Sequence, residues 1–285
     1  MPRFSRFAVA DWSGAKGDRH PGIALAVCDA GTDAAPTLVA PTDGRHWSRT
    51  GILAWLLAQE DDLVVGFDFS FAPPFVARGA YLPGEDVPDA APAFHAHVDA
   101  VCADDDLGAA SFLETHYRRH FYFGAADGRK ADYMHLRSCE AHYNAQGGGK
   151  PSTIYDVIGA AQVAKASFAG MRLLARLRGR IAVWPFDPLP DSGPVVVEIY
   201  AQIAARAAGL RKGLSKIRDG AALDVALAAF GSAPHAPLAR YTDHATDAIL
   251  TAAWLRANAE RPELWTPPAL TAAVARTEGW TFGVT

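Results

Sequence analysis

The chain has 285 residues, of which 50% are hydrophobic and 20% are charged, and its formal net charge is −4. This composition supports a hydrophobic core and argues against intrinsic disorder. The acidic net charge is not typical of a protein that coats nucleic acid, although a local basic groove is compatible with it. We expect one domain over residues 1–285, with an inserted cap region over residues 75–150.

The cysteine pattern and the hydrophobic runs bear on the compartment. Cys28, Cys102 and Cys139 are an odd number at unrelated spacings, which is typical of reduced intracellular thiols. Asp11 interrupts the apolar stretch near the N-terminus, so no signal peptide is predicted. No run approaches the roughly 18 apolar residues that a membrane-spanning helix needs. We therefore expect a cytoplasmic protein that does not associate with membranes.

The first third of the chain predicts the order strand, strand, strand, helix, strand. The predicted strands are Phe7–Asp11, Ile23–Cys28, Thr37–Ala40 and Leu63–Phe67, and the predicted helix is Thr50–Gln59. The fourth strand is a continuous apolar run, which is typical of a strand in the middle of a sheet with both faces covered.

The order changes after the fourth strand. From Phe75 to Lys150 the sequence is rich in Pro, Asp, His, Tyr and Gly, with one long helical stretch predicted near Gly108–Tyr122. This segment is interpreted as the cap. Beyond it, the predicted helices are Ser152–Arg178, Ile203–Gly209, Ala221–Phe230 and Thr242–Glu260, and the predicted strands are Val195–Tyr200 and Trp280–Val284.

Five acidic residues lie at the ends of these elements. Asp11, Asp68 and Glu198 end apolar β-like runs, and Asp243 and Asp247 open the last long helix. An unpaired carboxylate in a buried strand is unfavourable, because desolvation of the charge costs about several kcal/mol. Carboxylates gathered in one place repel one another unless a cation lies among them. The pattern therefore predicts a shared site for a divalent metal, Mg²⁺ or Mn²⁺.

The order of elements and acids resembles the ribonuclease H-like fold, and the chain is similar to an uncharacterised family of predicted ribonuclease H-like nucleases. The motifs that carry the resemblance are Ala10-Asp11-Trp-Ser-Gly14, Gly66-Phe-Asp68-Phe-Ser-Phe, Val197-Glu198-Ile-Tyr200, Asp243-x-x-x-Asp247-Ala248 and Glu278-Gly-Trp280. The resemblance implies an α/β fold with a mixed sheet flanked by helices, a cap inserted after the fourth strand, and nuclease activity by analogy. Holliday-junction resolvases of this superfamily have an acidic pair at a spacing of three instead of four, and both spacings place the acids on one helix face.

The five acids suit phosphodiester hydrolysis. Two metal ions ~3.5–4 Å apart can neutralise the phosphate oxygens, activate a water and stabilise the leaving oxygen. Asp11 is expected to bridge the ions, Asp68 to bind one, and Asp243 or Asp247 the other, with Glu198 as a further catalytic residue. Each acid also has a structural interpretation as a cap, a turn residue or an ion-pair partner. For Glu198, the partner would be Arg206 or a neighbouring arginine.

Three residues that follow the first two acids are candidates for substrate binding. Ser13 and Lys16 follow Asp11 in a Gly-containing turn and could hold a phosphate, or they could form a solvated hairpin tip. Ser70 follows Asp68 and could contact substrate, or it could be an ordinary loop serine. His244 lies beside the acidic pair and could shuttle a proton, although adjacent helical positions diverge by about 100°.

The cap contains basic and aromatic residues in alternation. Arg118, Arg119 and Lys130, interleaved with tyrosines, could grip phosphates and stack a base, or they could form a solvated helix face. His116 and His120 have the spacing of half a zinc site, but no third ligand has a confirming spacing.

Three functions are compatible with this sequence. The first is a divalent-metal-dependent phosphodiester hydrolase that acts on nucleic acid or a nucleotide-like substrate. The second is ATP-dependent phosphoryl transfer on an actin-like core, although such proteins use two domains of this kind. The third is a non-catalytic binding module whose carboxylates form structural ion pairs. Convergence of Asp11, Asp68 and Asp247 without an inserted cationic side chain favours the hydrolase; the sequence leaves the oligomeric state open.

Overall fold

A mixed six-stranded sheet forms the centre of the protein. The computed structural model describes residues 3–149, 152–158, 163–211 and 216–285. The strands are β1 (Arg6–Asp11), β2 (Ala24–Asp29), β3 (Thr37–Leu38), β4 (Leu63–Phe67), β5 (Ala182–Val183) and β6 (Val195–Glu198). Their order across the sheet is β3-β2-β1-β4-β6-β5. The pairs β3–β2 and β2–β1 are antiparallel, whereas β1–β4, β4–β6 and β6–β5 are parallel.

Helices flank this sheet, so the predicted α/β class is confirmed. The helices are α1 (Arg49–Leu57), α2 (Ala91–Val101), α3 (Ser138–Ala145), α4 (Val163–Leu177), α5 (Ala201–Ala207), α6 (Gly220–Ala228), α7 (Asp243–Asn258), α8 (Pro262–Trp265) and α9 (Ala272–Thr277). In the described part of the chain, no helix has both the length and the apolar character needed to cross a membrane.

The alternation of side chains along β1 divides the core into two layers. Phe7 and Val9 point to one face and pack in a cluster with α5, α6 and α7. Ala8 and Ala10 point to the opposite face and pack in a cluster with α1 and α4. Both faces of the central strands are therefore covered, which is why β1, β4 and β6 are apolar at nearly every position.

The segment between β4 and α4 packs around a third apolar cluster. Phe94 of α2, Phe112 and Phe121 are fully buried there, against Phe168 of α4. The described residues of 75–149 add no strand to the central sheet. We call residues 75–150 the cap from here on.

Within the cap, the helices differ from those predicted. The predicted helical stretch Gly108–Tyr122 is mainly a π-helical turn, Phe112–His116, followed by a 3₁₀ turn, Arg118–His120. The Tyr117 N–H donates to the Phe112 carbonyl, which widens the turn to i→i+5. Helices α2 and α3 were not predicted, because their few apolar positions are spread among alanine, histidine and polar residues.

Two other predicted elements are shorter in the structure. The predicted helix Ser152–Arg178 is a helix over Val163–Leu177 and not over residues 152–158, while residues 159–162 lie outside the described ranges. Residues 152–158 instead form backbone hydrogen bonds with the cap. The Tyr122 N–H donates to the Tyr155 carbonyl, and the Val157 N–H donates to the Tyr122 carbonyl. The predicted strand Trp280–Val284 is reduced to one bridge, between Thr281 and Glu198.

The topology determines where the site lies. Since β1, β4 and β6 are parallel, their carboxyl ends meet at one edge of the sheet. Asp11 and Glu198 are the last residues of β1 and β6, and Asp68 follows β4 directly. Helix α7 packs across β1 and β2 and brings its first two turns to the same edge.

Candidate functional site

Three carboxylates line one cavity at the carboxyl edge of the sheet. Asp11, Asp68 and Asp247 all face a cavity of about 400 Å³. The β1–β4 pairing places Ala10 opposite Phe67, and the Asp68 N–H donates to the Ala10 carbonyl at 3.3 Å. The first two acids are therefore held by neighbouring strands, and the third comes from the second turn of α7.

The position of Asp247 follows from how α7 begins and packs. Thr242 caps the helix, because its hydroxyl oxygen accepts from the Ala245 N–H at 3.2 Å. Ala248 and Ile249 are buried against the sheet and fix the rotation of the helix. Asp247 therefore projects from the margin of the buried face toward the sheet edge.

Burial and mutual repulsion destabilise the charged form of these acids. Burial raises the pKa of Asp68 well above its ordinary value, and the negative charges of Asp11, Asp247 and Glu198 raise it further. Burial and the charges of Asp11 and Asp243 raise the pKa of Asp247 to about 7. Burial also raises the pKa of Asp11, although the hydrogen bond with His244 opposes this effect. A cation at this position would stabilise the charged form of all three carboxylates.

His244 is hydrogen-bonded to Asp11, one of the three acids. Its Nδ1 lies 2.7 Å from Asp11 Oδ1, and the hydrogen bond to Asp11 is the main reason why the pKa of His244 is raised. The imidazole is 45% exposed, whereas the Asp11 side chain is 11% exposed. With Nδ1 donating to Asp11, Nε2 is left to exchange a proton with solvent or substrate.

Asp243 is neutralised by two cations and differs from Asp247 in this respect. Lys216 Nζ and Arg218 Nη1 both pair with its carboxylate. These bonds lower the pKa of Asp243, against the opposing effect of burial. Asp243 thus already has two cationic partners, and its role as a metal ligand stays a prediction.

Glu198 is also paired, and its contribution to catalysis stays a prediction. Both oxygens of Glu198 accept from the Arg137 guanidinium, at 2.7 and 2.5 Å. The Phe71 N–H and the Thr281 hydroxyl donate to the same carboxylate at 2.7 and 2.6 Å. Arg206, the partner suggested by the sequence, donates instead to the Gly147 carbonyl. Four donors satisfy Glu198, so it is a buried structural anion.

Two of the predicted substrate contacts, Ser70 and Lys16, lie on opposite sides of the β1–β2 loop. Ser70 lines the acidic cavity. Lys16 lines a separate cavity of about 570 Å³ and pairs with Glu114 at 3.2 Å. Gly14 separates the two, because a Cβ there would lie 2.3 Å from the Ala166 nitrogen of α4. Ser70 is therefore placed to contact a ligand of the acids, and Lys16 is not.

Ser13 lies in the same β1–β2 loop, two residues after Asp11. Its hydroxyl oxygen accepts from the Ala15 N–H at 3.3 Å, which stabilises the loop. The Ser13 hydroxyl and His244 Nε2 both approach Gly22, at 3.2 and 3.3 Å from the position a Cβ would occupy. Ser13 is thus near His244 without lining the acidic cavity, and the geometry gives it a loop-stabilising contact.

The predicted basic residues of the cap are paired away from the acids. Arg118 pairs with Asp127 at 2.8 Å, Arg119 with Glu85 at 2.7 Å, and Lys130 with Asp156 at 2.5 Å. None of these three cations is among the described residues that line the acidic cavity. His120 bonds to Glu85 as well, so it is not arranged as half of a zinc site with His116. The geometry does not support substrate contacts by these three cations.

The donor set of the acidic cavity fits a hard divalent cation. Carboxylate oxygens are the ligands that Mg²⁺ and Mn²⁺ prefer, and a few suffice because Mg²⁺ keeps several waters. Over residues 3–149, 152–158, 163–211 and 216–285, no three His, Cys, Asp or Glu side chains are already grouped so that they could hold a metal ion. An ion would therefore be held by Asp11, Asp68 and Asp247 only after their side chains adjust.

Sequence reasoning missed three residues of this edge. Arg137, which neutralises Glu198, lies 61 positions away in the cap, and no local spacing connects the two. Tyr143 of α3 and Tyr200 also line the cavity, with ring centroids 6.0 Å apart. The one available signal was that a strand-terminal Glu in an apolar run needs a partner, which does not identify the partner.

We compared the chain with protein-family models, with curated protein sequences and with solved structures, and none of them matches it. The function is therefore inferred from the geometry of the site.

Proposed function

We propose that this protein is a divalent-metal-dependent phosphodiester hydrolase with a ribonuclease H-like fold, and that it acts on nucleic acid or a nucleotide-like substrate. One observation carries the proposal. Asp11, Asp68 and Asp247 meet in one cavity, and no described Lys or Arg forms a salt bridge with any of them. Structural carboxylates in proteins are normally paired, as Glu198 and Asp243 are here.

The topology supports the finer fold assignment. Three antiparallel strands, β3, β2 and β1, are followed by the parallel strands β4 and β6, and α7 lies across β1. This is the arrangement that the sequence resemblance implies, with acids after the first and fourth strands and on the last long helix. The similarity is one of order and placement.

Each residue of the site has a separate role in the proposed reaction. Asp11, Asp68 and Asp247 would hold Mg²⁺ or Mn²⁺, which when bound supplies charge neutralisation at phosphate oxygens and an acidified water. The Nδ1–H of His244 donates to Asp11, so Nε2 of the same ring can take up and release a proton during turnover. Lys216, at the margin of the cavity, can hold a phosphate oxygen in place of Asp243.

Two alternatives make different predictions. A binding module with structural ion pairs would need a cationic partner for each acid. Among the described residues Glu198, Asp243 and, through His244, Asp11 have one, whereas Asp68 and Asp247 do not. Phosphoryl transfer on an actin-like core would require ATP-dependent transfer to an acceptor. The hydrolase requires metal-dependent cleavage of a phosphodiester without ATP.

The test is hydrolysis of bis-p-nitrophenyl phosphate by the full chain with Mg²⁺, with Mn²⁺ and with EDTA. We expect activity with either metal, none with EDTA, and a loss of about a thousandfold in Asp11→Asn and Asp68→Asn, because metal coordination contributes several kcal/mol to the barrier. Asp132→Asn, at an exposed cap position paired with Arg129, is the matched control and should keep full activity. Equal activity in wild type and Asp11→Asn would rule the proposal out.

A further inference from the structure

The acidic cavity has the size of a small-molecule site. Its volume of about 400 Å³ falls within the ~300–1,000 Å³ that is typical of pockets for small ligands. Helix α3 of the cap contributes one wall, through Cys139, Glu140 and Tyr143, and Ser152 adds to the same side. The cap therefore covers part of the edge at which the three acids lie, which limits how a long duplex can approach them.

The cavity has a charged part and an aromatic part. Asp11, Asp68 and Asp247 form the charged part, and Tyr143 and Tyr200 lie in the same cavity at an interplanar angle of 85°. Tyr200 lines the same cavity as Asp68. An aromatic ring bound against the tyrosines would therefore lie beside the metal-binding carboxylates.

Tyr143 has an unused polar group at this position. Its hydroxyl is buried and has no hydrogen-bond partner among the residues that the structure describes. Gly148 packs directly on the ring, since a Cβ there would lie 2.4 Å from Tyr143 Cδ2, and this contact fixes the orientation of the ring. Buried hydroxyls normally have a hydrogen-bond partner. A ligand with a polar edge next to Tyr143 would supply that partner to its hydroxyl.

In the described part of the chain few cations lie around the cavity, and Arg137, which lines it, is paired with Glu198. Lys216 also lines the cavity, and Arg218 shares the Asp243 carboxylate with Lys216. Proteins that bind long nucleic acid neutralise several phosphates along a basic surface. Here Arg118, Arg119 and Lys130 are paired with acids that do not line the cavity, as described above, and the net charge of the chain is −4. The charge pattern matches one or two phosphates.

We infer that the substrate is a small nucleotide phosphodiester, whose base stacks on the Tyr143 ring with its edge toward Tyr200 while its phosphate meets the three carboxylates and Lys216. This inference rests on the proposed function and narrows it. Internal positions of a long duplex do not enter the cavity. Base stacking on an aromatic side chain contributes about 1–3 kcal/mol per base, which corresponds to a change in affinity of about five- to 150-fold.

Two measurements on the full chain test this inference. The first compares kcat/KM in Mn²⁺ for the p-nitrophenyl ester of thymidine 5′-monophosphate with the rate of nicking of closed-circular duplex DNA. We expect the small ester to be hydrolysed and the circular duplex to stay intact. Nicking of the circle at a comparable or higher rate would overturn the inference, while leaving the hydrolase proposal standing.

The second measurement is calorimetric binding of thymidine 5′-monophosphate in Mn²⁺. Tyr143→Ala should weaken binding about five- to 150-fold, and Tyr143→Phe should weaken it less, because only the hydroxyl contact is lost. Tyr133→Ala is the matched control, since Tyr133 belongs to the cap but does not line the cavity, and it should bind like wild type. Equal affinity of wild type and Tyr143→Ala would overturn the inference. Binding that depends on Tyr143 without hydrolysis of any ester would keep the nucleotide site and remove the hydrolase.

Discussion

Two groups of carboxylates lie at the same edge of the sheet and differ in whether a Lys or Arg side chain pairs with them. Glu198 accepts four hydrogen bonds, two of them from Arg137, and Arg137 also bonds to Glu140 at 2.9 Å. Asp11, Asp68 and Asp247 have no Lys or Arg partner among the described residues. Because the charges of the first group are paired with a cation and hydrogen-bonded, this group stabilises the fold. The second group keeps its charge repulsion, which is favourable only if something else binds there.

The paired group also connects parts of the chain that are far apart in sequence. Arg137 joins the cap to β6, and its guanidinium donates to the Glu278 carbonyl as well. The Glu278 carboxylate accepts from the N–H groups of Phe75, Val76 and Ser138. The beginning and the end of the cap are thus fastened to the C-terminal segment by buried ions, beside a site that is left unpaired.

The largest expected effect is on the paired group. Arg137→Met leaves Glu198 and Glu140 buried without their cation, and we expect the free energy of unfolding to fall by about 3–5 kcal/mol. Urea denaturation followed by circular dichroism measures this change. The double variant Arg137→Met/Glu198→Gln removes one of the unpaired charges and should recover part of the loss. No loss of stability in Arg137→Met would show that the two groups do not differ in the way described.

The opposite sign is expected in the unpaired group. Asp68→Asn removes one of the repelling charges, so the metal-free protein should gain about 1–2 kcal/mol, since like charges near a protein surface interact by up to about 4 kcal/mol at 4 Å. Thermal unfolding in EDTA measures the gain. Glu198→Gln is the matched control at the same edge and should lose stability. A destabilised Asp68→Asn protein would mean that Asp68 has a partner and belongs with the first group.

The pH dependence of the metal-free protein follows from the raised pKa values. The pKa of Asp247 is about 7 in the folded protein and ~3.9 when unfolded, so between these values only the folded state binds the proton. The resulting stability is present below about pH 4 and is lost as the pH rises through 7. The raised pKa of His244 acts in the same direction.

We therefore expect the stability of wild type, measured relative to Asp247→Asn, to decrease steadily between pH 4.5 and 7.5 in EDTA. Chemical denaturation of both proteins across this range measures the difference, and the comparison cancels the titration of other groups. A constant difference would contradict the raised pKa of Asp247.

The smallest effect is expected at Asp243. Its carboxylate is 24% exposed and pairs with two exposed cations, so Asp243→Asn should change the free energy of unfolding by less than about 1 kcal/mol. The same substitution should reduce hydrolysis by less than about tenfold, because Lys216 remains available for phosphate. A loss as large as that of Asp68→Asn would place Asp243 among the metal ligands after all.

The sequence predicted the sheet well, because its strands are buried on both faces and read as apolar runs. The fourth strand, Leu63–Phe67, was predicted with the bounds that the structure has. The carboxyl-edge position of the acids follows from that pattern. The cap was predicted poorly, since its helices α2 and α3 depend on contacts with distant residues rather than on their own periodicity.

The division of the five acids into two groups could not be predicted from local sequence. Arg137 reaches Glu198 across 61 residues, and Lys216 reaches Asp243 across 27. Asp243 and Asp247 lie one turn apart on α7, yet only the first meets cations. Which carboxylate stays unpaired is decided by tertiary packing, and a strand-terminal acid looks the same in both cases.

The central claim is that Asp11, Asp68 and Asp247 form one site for a divalent cation. Isothermal titration calorimetry of the full chain with Mn²⁺ tests it most directly, with Asp68→Asn and Asp243→Asn measured alongside. The account predicts saturable binding to wild type and to Asp243→Asn, and none to Asp68→Asn. The absence of saturable binding to wild type up to millimolar Mn²⁺, or equal affinity in Asp68→Asn, would contradict it.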